Sequence, residues 1–110
     1  MKLQRGHVIW FEIPGLAGAG RKPGLVVSNN RRNGALGTAL VARITTTAKA
    51  SLPSIVELDA ATDPLVGRVL CDDLIEVYED EALGEAGAVC RKTMTAVEDG
   101  LMHALGITPR

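Results

Sequence analysis

Thr38-Ala-Leu-Val-Ala-Arg-Ile-Thr-Thr46 alternates more clearly than any other stretch of this chain. Successive side chains on a β-strand point to opposite faces. Leu40, Ala42 and Ile44 therefore share one face, and Val41, Arg43 and Thr45 share the other. Upstream, His7-Val-Ile-Trp-Phe-Glu-Ile13 is rich in β-branched and aromatic residues and stops at Pro14, which predicts a first strand. Residues 15–20, Gly-Leu-Ala-Gly-Ala-Gly, read as a flexible loop. Pro23-Gly-Leu-Val-Val-Ser28 is a second strand, with proline at its first position, where a missing amide donor is tolerated. Asn29-Asn-Arg-Arg-Asn-Gly34 reads as turn and loop. Downstream, Ser54-Ile-Val-Glu-Leu-Asp59 and Arg68-Val-Leu-Cys-Asp72 are strands four and five, and Ile75-Glu-Val-Tyr78 is a short sixth.

The period changes at the C-terminal end. Met94, Val97, Leu101 and Leu105 recur at i, i+3, i+7 and i+11, an amphipathic helix. Its start is either Thr93 as N-cap or Thr95 with Glu98 as a capping box. Gly106 and then Pro109 stop it. Gly100 inside costs about 1 kcal/mol relative to alanine, so this helix depends on packing. Short strands closed by one helix predict a β-rich fold, a small curved sheet or half-open barrel. Residues 1–110 read as a single domain with no linker to a second.

A hydrophobic content of 46% is enough for a packed core, which argues against disorder. No apolar run approaches the ~20 residues of a membrane helix, and the N-terminus lacks the features of a signal peptide. The expected location is cytoplasmic, with no membrane partner. Cys71 and Cys90 sit among apolar residues, far from His7 and His103, and give no metal-ligand spacing. They read as buried, reduced thiols, and no metal or cofactor is expected.

Charge is divided along the chain. Residues 1–56 hold eight basic residues against one acidic, a net +7, and residues 57–110 hold four against twelve, a net −8. Either one surface is built to meet an anion, or the halves interleave and the charges mix. The glycine-rich loop lacks the Gly-Lys-Ser/Thr ending of a phosphate loop and precedes a strand. No nucleophile elbow or Ser-His-Asp set is present, and His7 and His103 read as surface or packing residues.

Several segments stand in a specific order: Arg5-Gly-His-Val-Ile-Trp10, Lys22-Pro-Gly-Leu-Val-Val-Ser-Asn29, Val41-Ala-Arg-Ile-Thr-Thr-Thr47, Val69-Leu-Cys-Asp72 and a helix ending Leu105-Gly106. Together they resemble the MazF/PemK family of toxin endoribonucleases, over nearly the whole chain. The resemblance implies an SH3-like small barrel of the MazF/CcdB type, working as a homodimer. It implies metal-independent, sequence-selective cleavage of single-stranded RNA, in which the 2′-hydroxyl attacks the adjacent phosphate to leave a cyclic phosphate and a 5′-hydroxyl. The implied partners are RNA and a cognate antitoxin of a type II toxin–antitoxin system. Two alternatives stand beside this: a protein-binding toxin that inhibits gyrase, as CcdB does, and a catalytically weakened RNA-binding paralogue.

The resemblance also assigns residues. The family's basic residue before the second-strand proline, usually arginine, is Lys22 here. A planar fork becomes a point charge, but lysine gives up its proton more readily and can act as a general acid if its pKa is lowered. The threonine after the strand-three isoleucine is Thr45, whose hydroxyl can bond the scissile phosphate. Lys22 and Thr45 are the catalytic candidates. Arg21 is adjacent, yet alternation sends it to the opposite face from Lys22. Arg43 shares the Thr45 face and can hold a neighbouring phosphate. Thr46 and Thr47 read as strand formers, with Thr46 kept beside Thr45 as a substrate contact. Asp72 matches an acidic position of some members or is a solvated strand-end carboxylate. Ser28 and Asn29 shape the turn beside the site and complete the substrate-binding set.

Overall fold

Six strands pair throughout in antiparallel fashion: β1 (His7–Glu12), β2 (Arg21–Val26), β3 (Thr38–Thr45), β4 (Ile55–Glu57), β5 (Arg68–Tyr78) and β6 (Gly84–Ala88). Their order across the sheet is β4-β5-β3-β2-β1-β6. A short helix α1 (Asn30–Leu36) follows β2, and a longer helix α2 (Arg91–Leu105) follows β6. This computed structural model describes residues 1–12 and 20–108. Ile13, Pro14, most of the expected glycine-rich loop and Pro109 lie outside the described residues. No helix among the described residues is long and apolar enough to cross a membrane.

The alternation of β3 organises the core on two faces. Ala42 and Ile44 join Val8, Leu25, Val69 and Val97 in the cluster beneath α2. Ala39 and Val41 join Ile9, Phe11, Val26 and Val77 in a second cluster on the other face. A sheet with two buried faces in so short a chain must curl. Pro64, between β4 and β5, lies 3.2 Å from where a Cβ on Gly87 of β6 would stand. The edge strands β4 and β6 do not pair, so the expected barrel is not closed by strands. The residue 59–67 connection spans that gap.

The first, third and fourth strands run close to their predicted bounds; β2 lies two residues nearer the N-terminus than predicted, with Pro23 third in it rather than first, and the differences elsewhere have local causes. The fifth and sixth predicted strands are one strand, β5, interrupted by a bulge where Ala42 pairs with Leu74 and Arg43 with Leu70. β6 was not visible because Gly-Glu-Ala-Gly-Ala carries no β propensity; its backbone pairs with β1 across an irregularity at Val8/Ile9. The predicted turn at residues 29–34 is instead the helix α1. The Asn29 side chain caps it by accepting from Arg32 N–H at 2.8 Å, and Gly37 ends it at φ 69°. Asn33, buried, ties it down by donating to the Ser28 carbonyl at 3.1 Å.

Helix α2 begins one turn before the prediction, with Cys90 as its N-cap rather than Thr93 or Thr95. Thr93 is turned inward, where its hydroxyl donates to Asp63 at 2.6 Å. Gly106 ends the helix as predicted, at φ 69°. Met94, Val97 and Leu101 pack on the sheet, but Leu105 is exposed, so the apolar stripe finishes with Ala104. Cys71 is fully buried, and burial, with Asp72 beside it, pushes its thiol up to about 11. Cys90 is only half-buried, and hydrogen bonds from Thr62 and Thr93 hold its thiol below the usual value.

Gly100 fits where no side chain can. A Cβ there would lie 2.8 Å from Cys71 Sγ and 3.1 Å from Val56 Cγ2. Gly100→Ala should therefore destabilise the protein by about 1–3 kcal/mol, despite alanine's better helix propensity, and this would appear as a lower urea midpoint.

Asp63 accepts from Cys90 N–H, Thr93 Oγ1 and Asp59 N–H, at 2.8, 2.6 and 2.7 Å. Burial pushes its carboxyl up, and these hydrogen bonds outweigh that and hold it below 3.8. A depressed folded value means a contribution complete above the ordinary value and lost as pH falls through the lowered one. An amide offers one acceptor oxygen to three donors. Asp63→Asn should cost about 1–2 kcal/mol at pH 7 and flatten the acid limb of stability, as read by urea melts down to about pH 3.

Candidate active site

The β2–β3 ladder stops at Gly24 opposite Arg43. Pro23, the next residue, has no N–H with which to extend it. The same register carried two residues further sets Lys22 across from Thr45, in a gap where the strands have parted. Gly24 fixes how close β2 comes: a Cβ there would stand 2.3 Å from Val41 Cγ1 and 2.7 Å from Phe11 Cε1. The buried second cluster therefore holds the strand that carries Lys22. The parted ends open a groove of about 530 Å³, lined by Arg21, Lys22, Arg43 and residues 45–47, with Trp10, Pro23, Leu65 and Val66 as its apolar walls.

Electrostatics sort the basic residues. Arg5 pairs with Glu98 at 2.8 Å, Arg32 with Glu76 at 3.5 Å, and Arg43 with Asp73 at 2.9 Å. His7 Nδ1 shares a hydrogen bond with Glu85 Oε1. The oppositely charged halves of the sequence thus interleave, and much of the N-terminal excess is matched locally. Among the described residues, Arg21 and Lys22 make no ion pair. Arg21 lies over the Trp10 ring, 4.9 Å from its centroid. Thr45 Oγ1 accepts from Thr47 N–H at 3.1 Å, which leaves the hydroxyl proton to donate elsewhere. Two unmatched cations, a free hydroxyl donor and apolar walls make a place for a phosphate flanked by a flat base.

Comparison with known proteins identifies the family. Residues 4–105 match the family described as PemK-like, MazF-like toxin of type II toxin–antitoxin system. The chain belongs to this family. Endoribonuclease MazF1 of Mycobacterium bovis and endoribonuclease MazF4 of Mycobacterium tuberculosis are each 37% identical to it over 103 residues, 94% of this chain and 92% of theirs. A mycobacterial endoribonuclease in complex with its cognate antitoxin superposes with a TM-score of 0.86 at 34% identity, covering 97% of this chain and 98% of that one. MazF in a MazE–MazF complex from Deinococcus radiodurans gives 0.82 at 27% identity, covering 98% and 100%. The protein is a MazF-type endoribonuclease toxin.

Within this groove, Lys22, Thr45, Arg21, Arg43 and Thr46 come together. Arg21 and Lys22 were expected on opposite faces, yet both line the groove, because it opens at the strand end rather than on one face. Ser28, Asn29 and Asp72 stand apart from it. Ser28 is buried, donates to Asn33 Oδ1 and accepts from Leu40 N–H at 2.8 Å. Asn29 caps α1, and Asp72 is exposed on the β5 bulge. Sequence reasoning missed Trp10, Leu65 and Val66 as walls. A single tryptophan two residues before the end of a strand was the available signal for Trp10; nothing comparable marked the other two.

Proposed function

We propose that this groove cleaves single-stranded RNA without a metal, by attack of a ribose 2′-oxygen on the adjacent phosphorus. The supporting observation is the donor set: the groove is lined by ammonium, guanidinium and hydroxyl groups. Nucleases that work through metals hold them with carboxylates, and among the described residues no carboxylate lines this groove. Lys22 Nζ stabilises charge on the phosphorane oxygens and gives a proton to the departing 5′-oxygen. The Thr45 hydroxyl donates to a non-bridging oxygen. The 2′-proton passes to water, and the products are a cyclic phosphate and a 5′-hydroxyl. Arg43, with Arg21 and Thr46, holds the neighbouring backbone and base.

A groove of about 530 Å³ is the size of a small-molecule pocket, so selective reading of several nucleotides needs a second surface. We infer that residues 1–110 form one toxin domain that acts as a homodimer in the cytoplasm. Its cognate antitoxin is an acidic, partly disordered segment that folds over the unmatched cations. Light scattering at micromolar concentration should give twice the mass of the chain; a monomer would remove the dimer from this account.

The deciding experiment incubates the protein with a long single-stranded RNA in EDTA and maps the ends. Discrete cuts bearing 5′-hydroxyls are expected. Lys22→Ala should slow cleavage about 10²-fold or more while RNA binding survives, on the scale of losing a key electrostatic donor. Cuts that need an added divalent ion and leave 5′-phosphates would refute the mechanism. Intact RNA from the natural protein, with cutting restored by Lys22→Arg, would mark a toxin weakened at that residue.

A further inference from the structure

We propose that Asp73 is a positioning residue, which holds the Arg43 guanidinium in the orientation that binds an RNA phosphate. The inference rests on the reading of the groove given above. It begins with the β5 bulge. Two neighbours on β3, Ala42 and Arg43, pair with Leu74 and Leu70, so residues 71–73 stand outside the ladder. Cys71 and Leu74 both pack in the cluster under α2 although they are three residues apart. Strict alternation forbids that, because an odd separation puts side chains on opposite faces. The bulge reverses the phase of the strand, and in doing so carries Asp73 to the side where Arg43 emerges. There Arg43 Nη1 donates to Asp73 Oδ2 at 2.9 Å.

The arrangement suits orientation better than stability. The two side chains are 32% and 39% exposed, and an ion pair so open to water stabilises a fold little. Its effect is to select one placement among those open to a long, flexible arginine. Arginine presents five N–H donors, and Asp73 takes one of the Nη1 pair. Among the described residues no other acceptor engages Arg43, so its remaining edge is available for bidentate contact with a phosphate. Bulges beside active sites commonly re-aim a side chain in this way.

The two possible roles of a carboxylate here differ in sign. A carboxylate that only repels the polyanion lowers RNA affinity, and its removal raises activity. A carboxylate that positions Arg43 supports activity despite its charge, and its removal lowers activity. The test measures kcat and KM on a synthetic single-stranded RNA carrying a mapped cut site. It uses the natural protein, Asp73→Ala, Asp73→Asn, Arg43→Ala and the Arg43→Ala/Asp73→Ala double variant. Asp73→Ala is expected to lower kcat/KM about tenfold, chiefly through KM, with Asp73→Asn in between because an amide oxygen still accepts from Nη1. In the Arg43→Ala background the Asp73 change should have no further harmful effect, which shows that it acts through Arg43. Equal or higher activity of Asp73→Ala, or an equal loss in both backgrounds, would overturn the inference while leaving the nuclease reading intact. A natural protein that fails to cut any single-stranded RNA would overturn both.

Discussion

Strand β3 packs against a buried cluster on each face as far as Ala42, and the groove opens where the second of these clusters ends. Val41 lies against Phe11 across a gap that only a glycine at position 24 can occupy. That contact sets the height of β2 over the second core cluster and the register in which it meets β3. Two residues further along, Pro23 ends the ladder, and Lys22 and Thr45, opposite one another in that register, both line the groove. Dense apolar packing is close to incompressible, so the separation of these two groups is inherited from the core behind them. The groove needs no hydrogen-bonded scaffold of its own.

The elements legible in the sequence are those whose side chains carry a period. The alternation of β3 and the 3–4 spacing of Met94, Val97 and Leu101 are consequences of burial, so burial could be inferred from them. α1 and β6 are held by other means. A buried Asn33 and an Asn29 cap fold a segment whose composition reads as a turn, and a backbone ladder recruits Gly-Glu-Ala-Gly-Ala. Backbone pairing leaves no trace in side-chain type. The bulge was hidden for a related reason: Asp72 and Asp73 interrupt the apolar run, so one bulged strand read as two. The family pattern pointed to Asp72, whereas the carboxylate that meets Arg43 is that of Asp73. At the groove, Lys22 and Thr45 were legible because the family pattern named both, and strand alternation linked Arg43 to Thr45. Ser28 and Asn29 adjoin that pattern in sequence but serve the α1 connection in space.

The uneven charge of the sequence also has a structural meaning. Arg5, Arg32 and Arg43 come from the basic half, and each meets a carboxylate from the acidic half. Exposed pairs of this kind contribute little to stability, but each offsets a positive charge locally. Among the described residues Lys2, Arg21, Lys22, Arg31 and Lys49 of the basic half stay outside such pairs, and of these Arg21 and Lys22 line the groove. Field focusing of this sort favours a localised encounter over general adhesion to nucleic acid, which fits a chain whose net charge is only −1.

The replacement of the family's usual arginine by Lys22 is best understood together with Arg43. An arginine at position 22 would grip two oxygens of one phosphate and fix its orientation unaided. A lysine supplies comparable charge at a point and leaves that orientation undetermined. In this groove a planar fork is present one strand away, on Arg43, in contact with a carboxylate that limits how it can turn. Orientation of the backbone and stabilisation of the reacting phosphorane can thus reside on different side chains. Under the proposed mechanism Lys22 needs only to place one charge and one proton near the leaving oxygen, a task for which a compact ammonium on a flexible stem is suited. On this argument the lysine is compatible with full chemistry, provided that Arg43 stays where the bulge of β5 puts it.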